Sequence, residues 1–112
     1  MKVLISHIAL ATLLLAVSGF AAAAQRMEEG KAIYEKTCGT CHETGVDGAP
    51  ITGQAEDWEH RSGLWEAVLF EHANKGYLKM PAKGGDKSPT ENEVDLAADY
   101  MLTITHPDLP RD

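Results

Sequence analysis

The run Cys38-Gly39-Thr40-Cys41-His42 constrains this chain more than any other feature, because it holds both cysteines of its 112 residues. Several chemistries use two thiols at this spacing, and the surrounding residues separate them. A thioredoxin-type redox pair wants a strand before the motif and a helix opening at it. Here the motif instead closes a helical pattern. A zinc site needs further thiolates or imidazoles at ligand spacing, and no second cysteine pair exists. A disulfide across two intervening residues closes almost no loop and stabilises little. The C-x-x-C-H reading uses every residue: Cys38 and Cys41 add across the two vinyl groups of haem as thioethers, and His42 binds the iron. One such motif implies one haem c, covalently bound.

The N-terminus gives the compartment. Lys2 is the sole charge before Arg26, and an apolar stretch from Ile8 to Val17 leads to Gly19 and then Ala21-Ala22-Ala23-Ala24. A basic start, an apolar middle and a small-residue exit form the pattern of a secretory signal peptide, cleaved after Ala24. The alternative is an uncleaved anchor, since the stretch is barely long enough to span a bilayer. In both cases residues 25–112 lie outside the cytoplasm, and no other segment is apolar enough to span. The sequence thus divides into a leader, 1–24, and one domain, 25–112, whose last residues, 105–112, read as a tail. Without the leader, nine bases face seventeen acids, a net charge of -8. Such a balance argues against a nucleic-acid binder. A domain this small can bury only a modest core and commonly recruits a cofactor.

A second iron ligand is sought among methionines and histidines. Met101 falls in an apolar helical stripe and reads as core, and Met27 precedes the first helix. Met80 sits in the irregular run Gly76-Tyr77-Leu78-Lys79-Met80-Pro81-Ala82-Lys83-Gly84-Gly85. A loop lets the thioether reach back over the far face of the ring, and Pro81 and the glycines stop any helix there. His60, His72 and His106 are rivals, each reading more simply as solvated or supporting imidazoles. Sulfur opposite imidazole fills both axial positions and raises the potential. Outer-sphere electron transfer is then favoured over small-molecule activation.

These residues resemble the class I cytochromes c, and within them the small bacterial cytochrome c5 group. The resemblance spans nearly all of residues 27–102. It rests on the CGTCH motif, Thr44-Gly45-Val46 with Gly48-Ala49-Pro50, Trp58, Asn74-Lys75-Gly76-Tyr77 running into Lys79-Met80-Pro81, and Gly84-Gly85. It implies that the Pro50 carbonyl accepts the second ring N–H of His42, fixing the tautomer and raising ligand basicity. A simple turn proline is an equally open reading of Pro50. It also implies that the Trp58 indole donates to a haem propionate, with Arg61 a candidate partner for the same group. Trp65 reads better as core.

The expected fold is all-α: a small class I cytochrome c with three main helices and loops wrapped around one haem. The first helix is expected over about Glu28–Thr37. Gly30 inside it costs about 1 kcal/mol against alanine. The resemblance supplies a reason, a close crossing with the last helix at Ala97 and Tyr100. The second is expected over Ser62 to about Asn74, capped by Ser62, with Leu64, Trp65, Val68, Leu69 and His72 at helical spacing and Gly76 ending it. The third is expected over Thr90 to about Thr103. Its capping box is Thr90 with Glu93, and its buried face Val94, Ala97, Ala98 and Met101.

Charge placement suggests the partners. Lys75, Lys79, Lys83 and Lys87 fall within thirteen residues that hold one acid, Asp86, a local surplus of +3 on the Met80 loop. A basic rim at the haem edge suits a negatively charged patch on a redox partner. The expected function is a periplasmic one-electron carrier of a Gram-negative bacterium. It would run from a dehydrogenase or quinol-oxidising complex to a terminal oxidase or reductase. Two readings compete with the free shuttle: a haem sensor or small peroxidase with a labile Met80, and the cytochrome subunit of one dehydrogenase.

Overall fold

Nothing in the segment from Ala21 to Ile33 stops a helix. Alanines lead into Gln25, Arg26 and Met27, all good helix formers, with no proline and no capping residue among them. Gln25 Nε2 donates to Glu29 Oε1 at 2.9 Å, one turn on. In the computed structural model, which describes residues 2–61 and 66–109 with side chains from Ala16 onward, helix α1 accordingly runs unbroken over Lys2–Ile33. Met27 and the expected boundary at Ala24 both lie within it. The first helix therefore starts far earlier than Glu28.

Its C-terminal end also departs from expectation. Residues Tyr34–Cys38 form a π-helical turn, followed by the α-helical turn α2, Gly39–His42. A π-turn inserts one residue into the helical register and occurs often at functional sites. Here it carries the chain into the thiol-imidazole motif. A 3-10 turn at Val46–Gly48, the short helix α3 (Ala55–Trp58), helix α4 (Glu66–Lys75) and a 3-10 turn at Ala82–Gly85 follow. The last helix, α5, spans Glu91–Thr105. The expected second-helix start at Ser62, with Leu64 and Trp65, lies outside the described residues.

Helix α5 begins as the sequence indicates. The Thr90 hydroxyl accepts from the Glu93 N–H at 3.3 Å, and the Glu93 carboxylate accepts from the Thr90 N–H at 2.7 Å. It ends two residues later than Thr103. Thr105 belongs to the buried stripe and its hydroxyl donates to the Met101 carbonyl at 2.7 Å. That stripe is Val94, Ala97, Met101 and Thr105, with Ala98 only half-buried.

The core is the crossing of α1 and its π-turn with α5. Tyr34, Ala97 and Met101 are its centre, and Ala97 is fully buried. Tyr34 packs its ring against Tyr100 with centroids 5.2 Å apart. Its hydroxyl donates to Glu43 Oε2 at 2.9 Å, and burial pushes its pKa up to about 12. Gly30 is the point of closest approach. A methyl group there would overlap the Leu96 carbonyl oxygen and lie 3.1 Å from Tyr100 Cβ. Tyr100 is thus the expected partner, while Leu96 takes the place assigned to Ala97. Among the described residues no β-strand forms, and the one extended pairing is an isolated bridge between Tyr77 and Met80.

Candidate haem-binding site

The π-turn and α2 place Cys38, Cys41 and His42 close together on one helical segment. Both cysteines are free and half-buried, and burial pushes the Cys38 thiol up to about 11. His42 is 7% exposed. Its Nδ1 lies 2.8 Å from the Pro50 carbonyl oxygen. A carbonyl can only accept, so Nδ1 carries the hydrogen and Nε2 keeps its lone pair. Burial lowers the pKa of this imidazole from its ordinary value, outweighing the Pro50 bond that raises it, while the nearby Arg61 charge lowers it further. The side chain is held as a neutral donor.

Pro50 is itself fixed by its neighbours. Ile51 N–H donates to Asp57 Oδ2 at 3.0 Å, and Thr52 N–H to the His42 carbonyl at 2.9 Å. The Trp58 indole N–H donates to the Ile51 carbonyl at 2.8 Å, and its ring stacks on His42 with centroids 5.7 Å apart. In this structure the indole N–H serves the Ile51 carbonyl, so the side chain braces the histidine and its loop. Arg61 is exposed and donates from Nη1 to the Asp57 main-chain carbonyl at 2.6 Å.

Met80 lies on a separate loop that the structure ties to the cysteine segment. Tyr77 and Met80 exchange N–H to carbonyl bonds of 2.9 Å in each direction. Gly76 makes this turn possible with φ +85°, where a methyl group would lie 2.8 Å from the Ala82 nitrogen and 3.0 Å from the Met80 carbonyl. Farther along, Gly84 packs against the Thr37 carbonyl, and the Thr37 hydroxyl donates to Asp86 Oδ2 at 3.2 Å. Thr37 precedes Cys38, so the loop is anchored beside the first thiol. Sequence reasoning missed Thr37, Asp57 and Asp86, since only the fold reveals their partners.

The rival imidazoles are engaged otherwise or exposed. His72 stacks flat on Tyr77, with centroids 3.8 Å apart and planes 5° from parallel. His60 is exposed, and His106 caps the end of α5. The four lysines are not equivalent either. Lys75 pairs with Glu71 at 2.9 Å, and Lys83 donates to the Pro89 carbonyl at 2.8 Å. Lys79 and Lys87 enter no ion pair among the described residues. Tyr77 and Leu78 are exposed beside them, Leu78 by 88%.

The residues present fit a haem. Two thiols lie just before a neutral, tautomer-fixed imidazole in the chain, and a thioether comes from a second loop. The apolar side of α4 adds to this, because Val68, Leu69 and Phe70 are only half-buried. Such a helix face ordinarily covers a core.

A covalently held haem on an all-α wrapping defines a c-type cytochrome. The family model described as "Cytochrome C oxidase, cbb3-type, subunit III" matches residues 25–101. The chain belongs to the class I c-type cytochromes, electron-transfer proteins rather than enzymes, and carries the motif for one covalently bound haem c. Cytochrome c-555 of Prosthecochloris aestuarii is 36% identical over 84 residues, covering 68% of this chain and 85% of its own length. The cytochrome c subunit of 4-cresol dehydrogenase [hydroxylating] of Pseudomonas putida is 29% identical over 106 residues, 95% of this chain and 87% of that one. A chain in the crystal structure of an electron transfer complex of nitrite reductase with cytochrome c matches with a TM-score of 0.63 and 28% identity. That match covers 69% of this chain and 94% of the other.

Proposed function

We propose that this cytochrome is an exported, periplasmic one-electron shuttle with His42 and Met80 as its iron ligands. The commitment of His42 Nδ1 to Pro50 carries the reading, because it leaves Nε2 as a neutral lone pair for a metal. Met80 supplies a soft sulfur from a loop locked by its own bonds to Tyr77. Cys38 and Cys41 supply the thioether sulfurs. When bound, haem supplies the one-electron couple. With His42 and Met80 both holding the iron, no place would be left for a small molecule to bind it, which favours electron transfer over sensing or peroxidase chemistry. Arg61, exposed and with further N–H groups beyond its bond to Asp57, is the candidate partner for a propionate. The Lys2 start, the apolar run and Ala21–Ala24 support export with a cleaved leader.

The Met80 loop is the docking face. Leu78 and Tyr77 form an exposed apolar spot, with Lys75 and Lys79 on either side in sequence. Lys79 and Lys87 offer the uncommitted charge, which suits an acidic patch on a donor dehydrogenase or quinol-oxidising complex and on an acceptor oxidase or reductase. A small, weak interface allows rapid turnover of partners. The rate of electron transfer to a physiological partner should fall as ionic strength rises. A rate that climbs with salt would reject the basic rim. The second reading, a subunit of one dehydrogenase, is supported by the Pseudomonas putida relative that aligns with nearly the whole chain. Stoichiometric co-purification with a dehydrogenase would favour it over the free shuttle.

A further inference from the structure

The peptide group between Pro50 and Ile51 is held at both of its polar ends. Its carbonyl accepts the His42 Nδ1–H at 2.8 Å, and its N–H donates to Asp57 Oδ2 at 3.0 Å. The two atoms belong to one amide. An imidazole, a peptide and a carboxylate therefore form a single hydrogen-bonded chain. The Ile51 carbonyl is held in turn by the Trp58 indole, so this amide has little freedom to rotate away.

We propose that Asp57 is a positioning residue that acts through the Pro50–Ile51 peptide to strengthen His42 as a donor, and so lowers the reduction potential of the bound haem. The proposal rests on the reading of His42 as an iron ligand. Hydrogen bonds in series polarise one another, and those to an ionised acceptor are roughly twice as strong as neutral ones. A carboxylate on the N–H side draws that proton and pushes electron density onto the Pro50 oxygen. The richer oxygen pulls harder on the Nδ1 proton of His42. The ring gains imidazolate character, and a more basic ligand stabilises ferric over ferrous iron.

Arg61 lies close by without forming an ion pair to the Asp57 carboxylate. Its Nη1 binds the main-chain carbonyl of Asp57, and no ion pair takes up the Asp57 carboxylate among the described residues. Asp57 is half-buried, where its charge is screened less than at the open surface.

Asp57→Asn separates charge from shape, since the amide keeps an oxygen acceptor for the Ile51 N–H. Asp57→Ala removes both. The experiment measures the midpoint potential of the wild-type and variant holoproteins by spectroelectrochemistry. It also follows the His42 Nδ1–H and Ile51 amide proton resonances of the reduced holoproteins by NMR. We expect the midpoint to rise in Asp57→Asn and at least as far in Asp57→Ala, so that at a fixed applied potential the reduced fraction grows. Both proton resonances should move upfield, as for weaker hydrogen bonds, with the iron still low-spin. An Asp57→Asn protein with the wild-type midpoint and an unmoved Nδ1–H resonance would overturn the proposal. The ligand reading fails separately: a wild-type holoprotein whose iron is not coordinated by histidine would sink that reading, and the relay with it.

Discussion

Gly30→Ala sets helix propensity against helix packing at one position. In an isolated helix the change would gain about 1 kcal/mol, the ordinary advantage of alanine over glycine in a helix interior. In the folded protein the new methyl group falls on the Leu96 carbonyl oxygen, 3.0 Å from the Leu96 carbonyl carbon and 3.1 Å from Tyr100 Cβ. The obstructing atoms belong mainly to the backbone of α5, so no side-chain rotation relieves them. The two helices must separate, loosening Tyr34 and Ala97 in the core. Overpacking of this kind costs roughly 1–3 kcal/mol, and rigid backbone places it at the upper end or beyond. Against the propensity gain, the net loss is about 2 kcal/mol. For a domain of this size that corresponds to a fall in Tm of roughly 8–16 °C. Thermal and denaturant unfolding of the purified holoprotein, with the leader status matched, measures it. A variant as stable as the parent, or more so, would refute the close crossing.

Gly76→Ala should disrupt the turn that presents Met80, because alanine is strained at φ +85° and its methyl group meets the Ala82 nitrogen. The expected result is loss or weakening of the sulfur-to-iron absorption band at a stability cost of about 1–3 kcal/mol, read by optical spectra and unfolding. Asp86 gives a pH dependence. Bonds from the Ser88 hydroxyl and N–H, then from the Thr37 hydroxyl, hold its carboxyl below the ordinary carboxylate value. A depressed folded pKa means its contribution is present above the unfolded pKa and is lost as pH falls through the folded one. The acid limb of the stability profile should therefore be shallower in Asp86→Asn, as followed by denaturant unfolding over a pH series.

Much of the site was legible because its chemistry is local. Cys38, Cys41 and His42 fall in the single run 38–42, and the Thr90–Glu93 capping box closes within one helical turn. The Pro50 bond and the tight crossing at Gly30 came from the family pattern, and both contacts appear at the expected glycine and proline. What escaped reading depends on contacts that only folding creates. The π-turn has no sequence signature as clear as a cap, and the run through Ala24 and Met27 holds no helix breaker to mark a start. The bond from Trp58 to the Ile51 carbonyl could not be read, because the nearness of that carbonyl follows from the path of the loop. Lys75 and Lys83 counted fully in the charge of the loop, although Glu71 and the Pro89 carbonyl engage them. Asp57 is an ordinary surface-type residue until the amide it binds is seen to hold His42 at its other end.

The pairing of His42 with Met80 is tested most directly by the optical spectrum of the oxidised holoprotein, wild type beside Met80→Ala. We expect a low-spin spectrum with a sulfur-to-iron band in the wild type, and loss of that band with a lower midpoint potential in the variant. A band that persists without Met80, or is missing from the intact wild-type protein, would contradict the assignment.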